Sequence, residues 1–461
     1  MLKIKFTYPI TVLIYITFFL IGTTLGYNPY GLTILISFFE ILKQIRNNSF
    51  FTALLFWNLG FVFLSCSVNL FDKVDIVEKF GIGVYEKTAN IFFLSSITII
   101  FFYHYFLKKQ KQKYPVEVEV DNSPFTSIKT FTLLLIIAVY LIFIIYNGQR
   151  AFQIMTMGRG TFVVNSSFGG QGEQGTGRSI IITLLYYLTE ISGYLLPSLM
   201  FLILLQKLRI LYALAVTFIL SVPIWMTQFF LGTRHHILLS GLSFIACFVL
   251  LYHKRIRIKV RTFVIILSAG LFFSFAMLHI RKVGYANIFD FSNFKFEPEK
   301  IGGDPSGRYM NYVVEYFDTK DYRKGVSTTG LVFVWMPRSI WNNKPQGFTH
   351  WFLREHVIPG YKGYNSISTS YLGVPYSDFG KTGVVFASIL IAFFLAKIDC
   401  YTLRLKSAFT FKKLIIVAFS LALSFYMPRA LTAVYLKMIL VFAFISVLSF
   451  SNRLVIRIPD E

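Results

Sequence analysis

Of 461 residues, 55% are apolar and 18% aromatic, while only 15% carry charge, against the roughly 25% usual in soluble domains. That excludes a water-soluble globule. Lys and Arg number 45 against 22 Asp and Glu, a formal net charge of +23, but the cations stand in short clusters between apolar runs, as membrane orientation requires. Nucleic acid is not an expected partner.

Apolar runs bounded by charge fall near residues 6–25, 30–42, 50–70, 88–107, 128–147, 180–205, 210–230, 237–252, 262–280, 379–397, 414–428 and 431–450. Most approach the ~20 residues that cross a ~30 Å hydrocarbon core. The expected fold is therefore an all-α polytopic membrane protein of about 12 spans. The runs at 30–42 and 414–428 are short, and either could be an interfacial piece. The first run is too long for a signal-peptide core and is read as a retained span. Lys43 to Arg46, Lys108 to Lys113, Lys207 with Arg209, Lys254 to Arg261 and Arg404 to Lys413 then share one side with both termini. By the positive-inside rule that side is cytoplasmic.

Three organisational segments follow: a bundle at 1–280, a large outer loop at 281–378, and C-terminal spans with a tail at 379–461. A smaller Gly-rich outer loop lies at 148–179, with Arg150, Arg159 and Arg178 along it. Cys66 and Cys247 fall in apolar runs and Cys400 in a basic linker, so neither a disulfide framework nor a thiolate metal site is expected. Glu190 is ionisable at membrane depth and so is a functional candidate, or one half of a buried pair with a neighbouring span's Arg or Tyr. Pro197 and Pro223 are expected to kink their spans.

At FLGTRHHILLSG, Arg234 and His235 with His236 stand on a tight outer hairpin. A fixed positive charge beside a group titrating near neutrality suits pyrophosphate binding and proton transfer. No third ligand suggests a metal. Arg281 closes the ninth run, and Arg429 sits in MPRAL between the last two. Arginines on the outer face run against the orientation rule, and guanidinium groups fork readily onto phosphate oxygens.

Composition changes at Arg281. The large loop holds Trp335, Trp341 and Trp351, together with Tyr309, Tyr312, Tyr316, Tyr361, Tyr364 and Tyr376. Such rings stack on sugar faces, or else form an interfacial belt. Residues 306–317 show helical apolar spacing at Tyr309, Tyr312, Val313 and Tyr316, which predicts an amphipathic helix lying along the membrane surface. In GLVFVWMPRSIWNNKP, Pro337 and Pro345 break any helix and hold Arg338 and Lys344 on a turn suited to a lipid-linked phosphate. Asp378 could take a proton from a sugar hydroxyl, but is better read as the cap of a helix starting near Phe379. Glu315 is the other acid in reach.

PRSIWNNKP, preceded by YRKGVSTTG and followed by SYLGVPYSDFGKTG, resembles the Wzy-type oligosaccharide repeat-unit polymerases of bacterial O-antigen. The GTRHH hairpin and the overall span plan fit the same resemblance. It implies an inner-membrane glycosyltransferase, active at the periplasmic face without metal or cofactor. Such an enzyme moves a growing glycan from undecaprenyl pyrophosphate onto the non-reducing end of a new lipid-linked unit, and a chain-length regulator is the protein partner that the resemblance implies. On that resemblance Arg234, Arg338, Arg281, Arg429 and Lys344 hold the pyrophosphate. His235, Glu315 or Asp378 is the base, and Trp335, Trp341, Trp351, Tyr309 and Tyr312 bind glycan.

Some members carry an Arg, ten residues and a Gly in each of two loops. Arg159 and Gly170 match that spacing, whereas Arg338 leads to Thr349 and Arg354 to Asn365. The rival class is a lipid-linked oligosaccharide flippase or polysaccharide exporter, for which more charge inside the bundle than Glu190 alone is expected. A metal-dependent lipid-sugar transferase with an acidic first outer loop is disfavoured by GYNPY at 26–30, which holds no acid.

Overall fold

The computed structural model describes residues 8–46, 52–113, 130–157, 180–205, 208–230, 234–252, 306–333, 341, 343–345, 347–359, 368–405, 411–429, 438–442, 444 and 446. Helix is the only regular structure among them. In chain order the elements are α1 (Tyr8–Thr24), α2 (Pro29–Arg46), α3 (Ala53–Phe71), α4 (Lys73–Phe80) and α5 (Ile82–Lys113). There follow α6 (Thr130–Met157), α7 (Ile180–Leu204), α8 (Ile210–Phe230), α9 (Arg234–Tyr252) and α10 (Ser306–Thr319). The last are α11 (Val326–Val332), α12 (Phe348–Phe352), α13 (Gly373–Leu405) and α14 (Phe411–Tyr426).

Five helices are long and apolar enough to cross a bilayer: Ala53–Phe71, Ile82–Gln112, Leu133–Ile154, Ile210–Phe229 and Gly373–Leu403. Shorter apolar helices occupy Thr11–Thr24, Leu188–Leu204, His236–Tyr252 and Lys413–Tyr426. The short run at 30–42 is helical throughout, within the 18 residues of α2, and that at 414–428 is helical to Tyr426, within the 16 of α14. Helices α7 and α8 run on through Pro197 and Pro223. All of 262–280 and most of 431–450 lie outside the described residues. On α8, Leu211, Phe218 and Ile219 are exposed, which suits helices bathed in lipid.

The chain divides into two compact units, in a different way from the three segments read along the sequence. Unit 1 comprises Met1–Val116, Glu297–Tyr401 and Ser424–Leu436, so the described part of the large loop belongs with the N-terminal helices. Unit 2 comprises Glu117–Phe296, Thr402–Leu423 and Lys437–Glu461.

In unit 1, Val12, Tyr15 and Phe19 of α1 meet Leu32 and Ile36 of α2 and Ile97 and Ile100 of α5. Asn28 starts α2 by accepting from the backbone N–H groups of Tyr30 (3.0 Å) and Gly31 (3.4 Å), with Pro29 preset at the first helical position. Thr52 caps α3, accepting from Leu55 N at 3.2 Å. Gly81 separates α4 from α5 with a left-handed φ of 81°. Within α3, Val62–Cys66 widens into a π-helical turn, a feature concentrated at functional sites and kinks.

Helix α10 lies against α3, α4 and α5. Its buried stripe is Ser306, Gly307, Met310, Asn311, Val313, Val314 and Phe317, so the helix is amphipathic as its spacing predicts, but of the four residues that carried that prediction, Tyr309, Tyr312, Val313 and Tyr316, only Val313 lies in the stripe. Polar contacts decide the docking. Ser306 Oγ donates to Leu64 O at 2.6 Å, Asn69 Nδ2 to Gly307 O at 3.1 Å, and Asn311 Nδ2 to Asn69 Oδ1 at 3.2 Å. The three tyrosines form the half-exposed flank. Cys400, expected in a linker, is buried within α13.

In unit 2, α7 packs on α6, α8 and α9. Ser198 and Ser243 lie 3.3 Å apart across α7 and α9, and Trp225 Nε1 donates to Ser240 Oγ at 3.1 Å.

Candidate functional site

The chemistry-bearing residues that the fold brings together most densely lie at one end of unit 1, where α10, α11, α12 and the start of α13 meet. Two glycine-dependent features shape it. Lys324 and Gly325 take left-handed φ values of 49° and 95°, turning the chain into α11. Helix α13 breaks at Phe379 and Gly380, and a Cβ on Gly380 (φ 59°) would come within 2.7 Å of the Tyr322 ring.

Asp378 ties these pieces. It is buried, and its carboxylate accepts from Ser327 N (3.0 Å) and Thr328 N (2.6 Å), capping α11. The helix it caps is therefore not the one starting near Phe379. Arg323 N donates to Ser377 O at 2.9 Å and Lys324 N to Asp378 O at 3.2 Å, which pins the turn onto α13. With both oxygens taken, this acid is a positioning group for Arg323.

Arg323 places its guanidinium 4.0 Å from the centre of the Trp351 ring and donates to Ser327 Oγ at 3.3 Å. A cation so close to an indole face gains ~0.5–2 kcal/mol. Partial desolvation lowers the Arg323 pKa, while Asp378 and Tyr316 favour its charged form. Around it, Tyr316 lies 3.8 Å from the His356 ring, 5.8 Å from Phe352 and 6.2 Å from Trp351. Phe348 and Phe352 are buried beneath, whereas Tyr316, Trp351 and His356 remain half-exposed.

Leu353–Val357 is a second π-helical turn. In an α-helix, residues five apart point in different directions. The wider turn returns His356 to the Trp351 side, with ring centres 5.0 Å apart.

Desolvation lowers the His356 pKa from 6.5; Glu355 works against this, and Arg323 and Lys320 add to it. The imidazole is thus neutral near pH 7, with a lone pair for a proton. A histidine depressed in the folded state contributes stability that is complete above its unfolded pKa and is lost as pH falls below 6.5. We expect thermal unfolding of the purified chain to shift downward on acidification through that region, and His356→Gln to flatten the shift. An unaltered profile in the variant would refute the assignment.

Of the other sequence candidates, Tyr312 faces Phe80 at 4.6 Å with Lys79 Nζ 4.8 Å above its ring, and Tyr309 lies 6.0 Å from Tyr312. Glu315 is exposed; desolvation raises its carboxyl above 4.5 against the pull of Lys79. Trp341 meets Phe333 edge-on at 5.9 Å, and Lys344 N donates to Trp341 O at 3.1 Å on the expected turn. Arg429 donates to Tyr426 Oη at 2.5 Å, and its carbonyl accepts from Ser368 Oγ at 2.7 Å. Arg159, Arg178, Arg281, Trp335 and Arg338 lie outside the described residues, as do the side chains of Arg234 and His235.

Glu190, read as a functional group or as one half of a buried pair with a neighbouring span's Arg or Tyr, is half-buried; its tyrosine partner lies on its own helix, and the group from a neighbouring helix is a histidine. In unit 2, Tyr194 Oη donates to Glu190 Oε1 at 2.9 Å, and His236 Nε2 lies 3.7 Å from the same oxygen. Sequence reasoning missed Arg323 and His356. The usable signal was Phe352 to His356, four residues apart on one helix face, beside Trp351.

Comparison with known proteins yields no family model, curated sequence or solved structure that matches this chain.

Proposed function

We propose that this chain polymerises oligosaccharide repeat units carried on undecaprenyl pyrophosphate, at the outer face of the bacterial cytoplasmic membrane. The observation that carries the reading is the half-exposed group of Arg323, Trp351, Tyr316 and His356, built against a membrane-length helix. Flat rings with polar edges bind sugar faces, and a guanidinium beside them binds hydroxyls or phosphate.

In the reaction the acceptor sugar hydroxyl attacks the anomeric carbon of the growing chain. A new C–O bond forms, the bond to pyrophosphate breaks, and the pyrophosphate leaves with the electron pair. His356, neutral near pH 7, takes the hydroxyl proton, a role the sequence had offered to His235, Glu315 or Asp378. Arg323, joined by Arg338 and Lys344 of the same loop, stabilises the departing charge. About 12 spans, cytoplasmic termini and a chain-length regulator as partner belong to the same reading.

A second reading has an observation in its favour. Glu40 and Asp399 are buried within the helices of unit 1, and Glu190 is half-buried in unit 2, more interior charge than the sequence had promised for a polymerase, and that suits a flippase or exporter.

Purified chain in vesicles, given synthetic lipid-linked repeat units on the accessible leaflet, separates the two. Glycan growth without transport is expected, with at least a tenfold loss in Arg323→Ala or Trp351→Ala. Translocation of the lipid without chain growth would overturn the polymerase.

A further inference from the structure

The helices of unit 1 carry a second polar system, away from the ring cluster and unused by the chemistry above. Glu40 of α2 has a fully buried side chain. Its Oε1 lies 3.1 Å from His104 Nε2 on α5, and its Oε2 accepts from Tyr15 Oη of α1 and from Lys43 Nζ, each at 3.3 Å. His104 is 8% exposed, whereas the Lys43 side chain is 32% exposed and so links the pair to water. One residue back on α5, Tyr103 Oη donates to Asp399 Oδ2 of α13 at 2.5 Å, and Asp399 Oδ1 accepts from Ala53 N at 2.7 Å. Among the described residues the groups facing the pair are Tyr15 from α1, Lys43 from α2 itself, and Tyr103 and Lys111 from α5, with Asp399 beyond Tyr103.

The rest of the buried side of α5 is polar at intervals of about two and a half turns. Tyr85 exchanges hydrogen bonds with Asn28 and donates to Asn69 O at 3.2 Å. Ser95 Oγ lies 2.7 Å from Tyr371 Oη and 2.6 Å from Ser388 Oγ. From Tyr85 to His104 the helix rises about 28 Å, close to the ~30 Å of a hydrocarbon core. Ser37 Oγ on α2, both amide atoms of Asn58 on α3, and Ser96 Oγ on α5 are buried without a hydrogen-bond partner among the described residues. These helices pack on one another through α2.

Hydroxyls alone serve as glue between membrane helices. A carboxylate with an imidazole does more, because ionisable groups at membrane depth are costly and mark ion or proton pathways. We propose that Glu40 and His104 form a proton-binding site inside unit 1, loaded through the opening at Lys43. In the unloaded state a Glu40 carboxylate accepts from a neutral His104. Uptake of one proton from water leaves the pair with no net charge, as imidazolium with carboxylate or as carboxylic acid with imidazole. Lys43 Nζ, 3.3 Å from the same carboxylate and partly exposed, balances the unloaded charge, so proton uptake leaves one positive charge on the group at its water-facing end rather than in the dry interior. This site does not depend on whether the chain polymerises or transports glycan.

The test is a proton count, by indicator dye, on the purified full chain in vesicles titrated between about pH 5 and 8, the range in which histidine pairs change charge. Wild type is expected to bind one proton more than Glu40→Gln over that range. Equal counts would show a fixed ion pair and overturn the site. If Glu40→Gln fails to reach the membrane, Tyr15→Phe decides, since it removes one donor from the same carboxylate and keeps the ring. A moved titration midpoint sustains the proposal, and an unchanged curve overturns it.

Discussion

Gly60→Ala is expected to cost unit 1 several kcal/mol and to lower the unfolding temperature of the purified chain by many degrees. A Cβ on Gly60 would stand 1.8 Å from Phe425 O and 2.7 Å from its carbonyl carbon. Overpacking against flexible side chains costs about 1–3 kcal/mol, but here the obstacle is backbone, which no rotamer change can move. Helix α3 would have to withdraw from the end of α14, and with it Trp57 and Phe61, stacked 4.8 Å apart and packed on Tyr371. Gly241→Ala is the control, because nothing lies within 4 Å of its Cβ position on α9. There the better helix propensity of Ala predicts a gain of about 0.5–1 kcal/mol. Equal effects of the two substitutions, by thermal denaturation in detergent, would disprove the close approach.

Asp378→Ala carries the second large effect. The buried carboxylate closes two backbone N–H groups at the start of α11, and its loss leaves both without an acceptor. Caps of this kind are worth ~0.5–2 kcal/mol, and hydrogen bonds to charged groups ~1.5–3 kcal/mol each. A loss of about 2–4 kcal/mol is expected on those grounds. Asp378→Asn, which keeps one acceptor oxygen, should lose about half as much. Because the same carboxylate favours the charge of Arg323, the Ala variant should also free the Arg323 to Ser377 turn, seen as faster amide exchange over residues 323–328. Unchanged exchange there, together with unchanged stability, would remove Asp378 from its positioning role.

Both substitutions fall where a sequence is least readable. Gly60 stands in an unbroken apolar run, and nothing in that run says which face a carbonyl 365 residues further on will meet. Asp378 advertised a cap, since a carboxylate before a helix is a local signal, but its helix is a neighbour in space. The tyrosines at 309, 312 and 316 do share a face, as their spacing required, but the stripe that docks is the one with Gly307 and Asn311. Met310, Val313, Val314 and Phe317 repeat at helical spacing within that stripe, but apolar periodicity says nothing of Ser306, Gly307 and Asn311, which hydrogen bonds to Leu64 and Asn69 hold. His356 reaches Trp351 through a π-helical turn, and helical spacing rules assume 3.6 residues per turn.

By itself the sequence determined that this is a helical membrane protein, where most of its apolar helices begin and end, and that one long segment is rich in tryptophan, tyrosine and cations. Those are properties of local composition, and a bilayer reads them one helix at a time. Only the tertiary structure decided that Glu40 meets His104, that Asp399 meets Tyr103, and that Arg323 lies over Trp351. Such pairings join residues from 28 to 296 positions apart, and in a medium without water it is packing of whole helices, and the need to satisfy each buried polar group, that selects the partners.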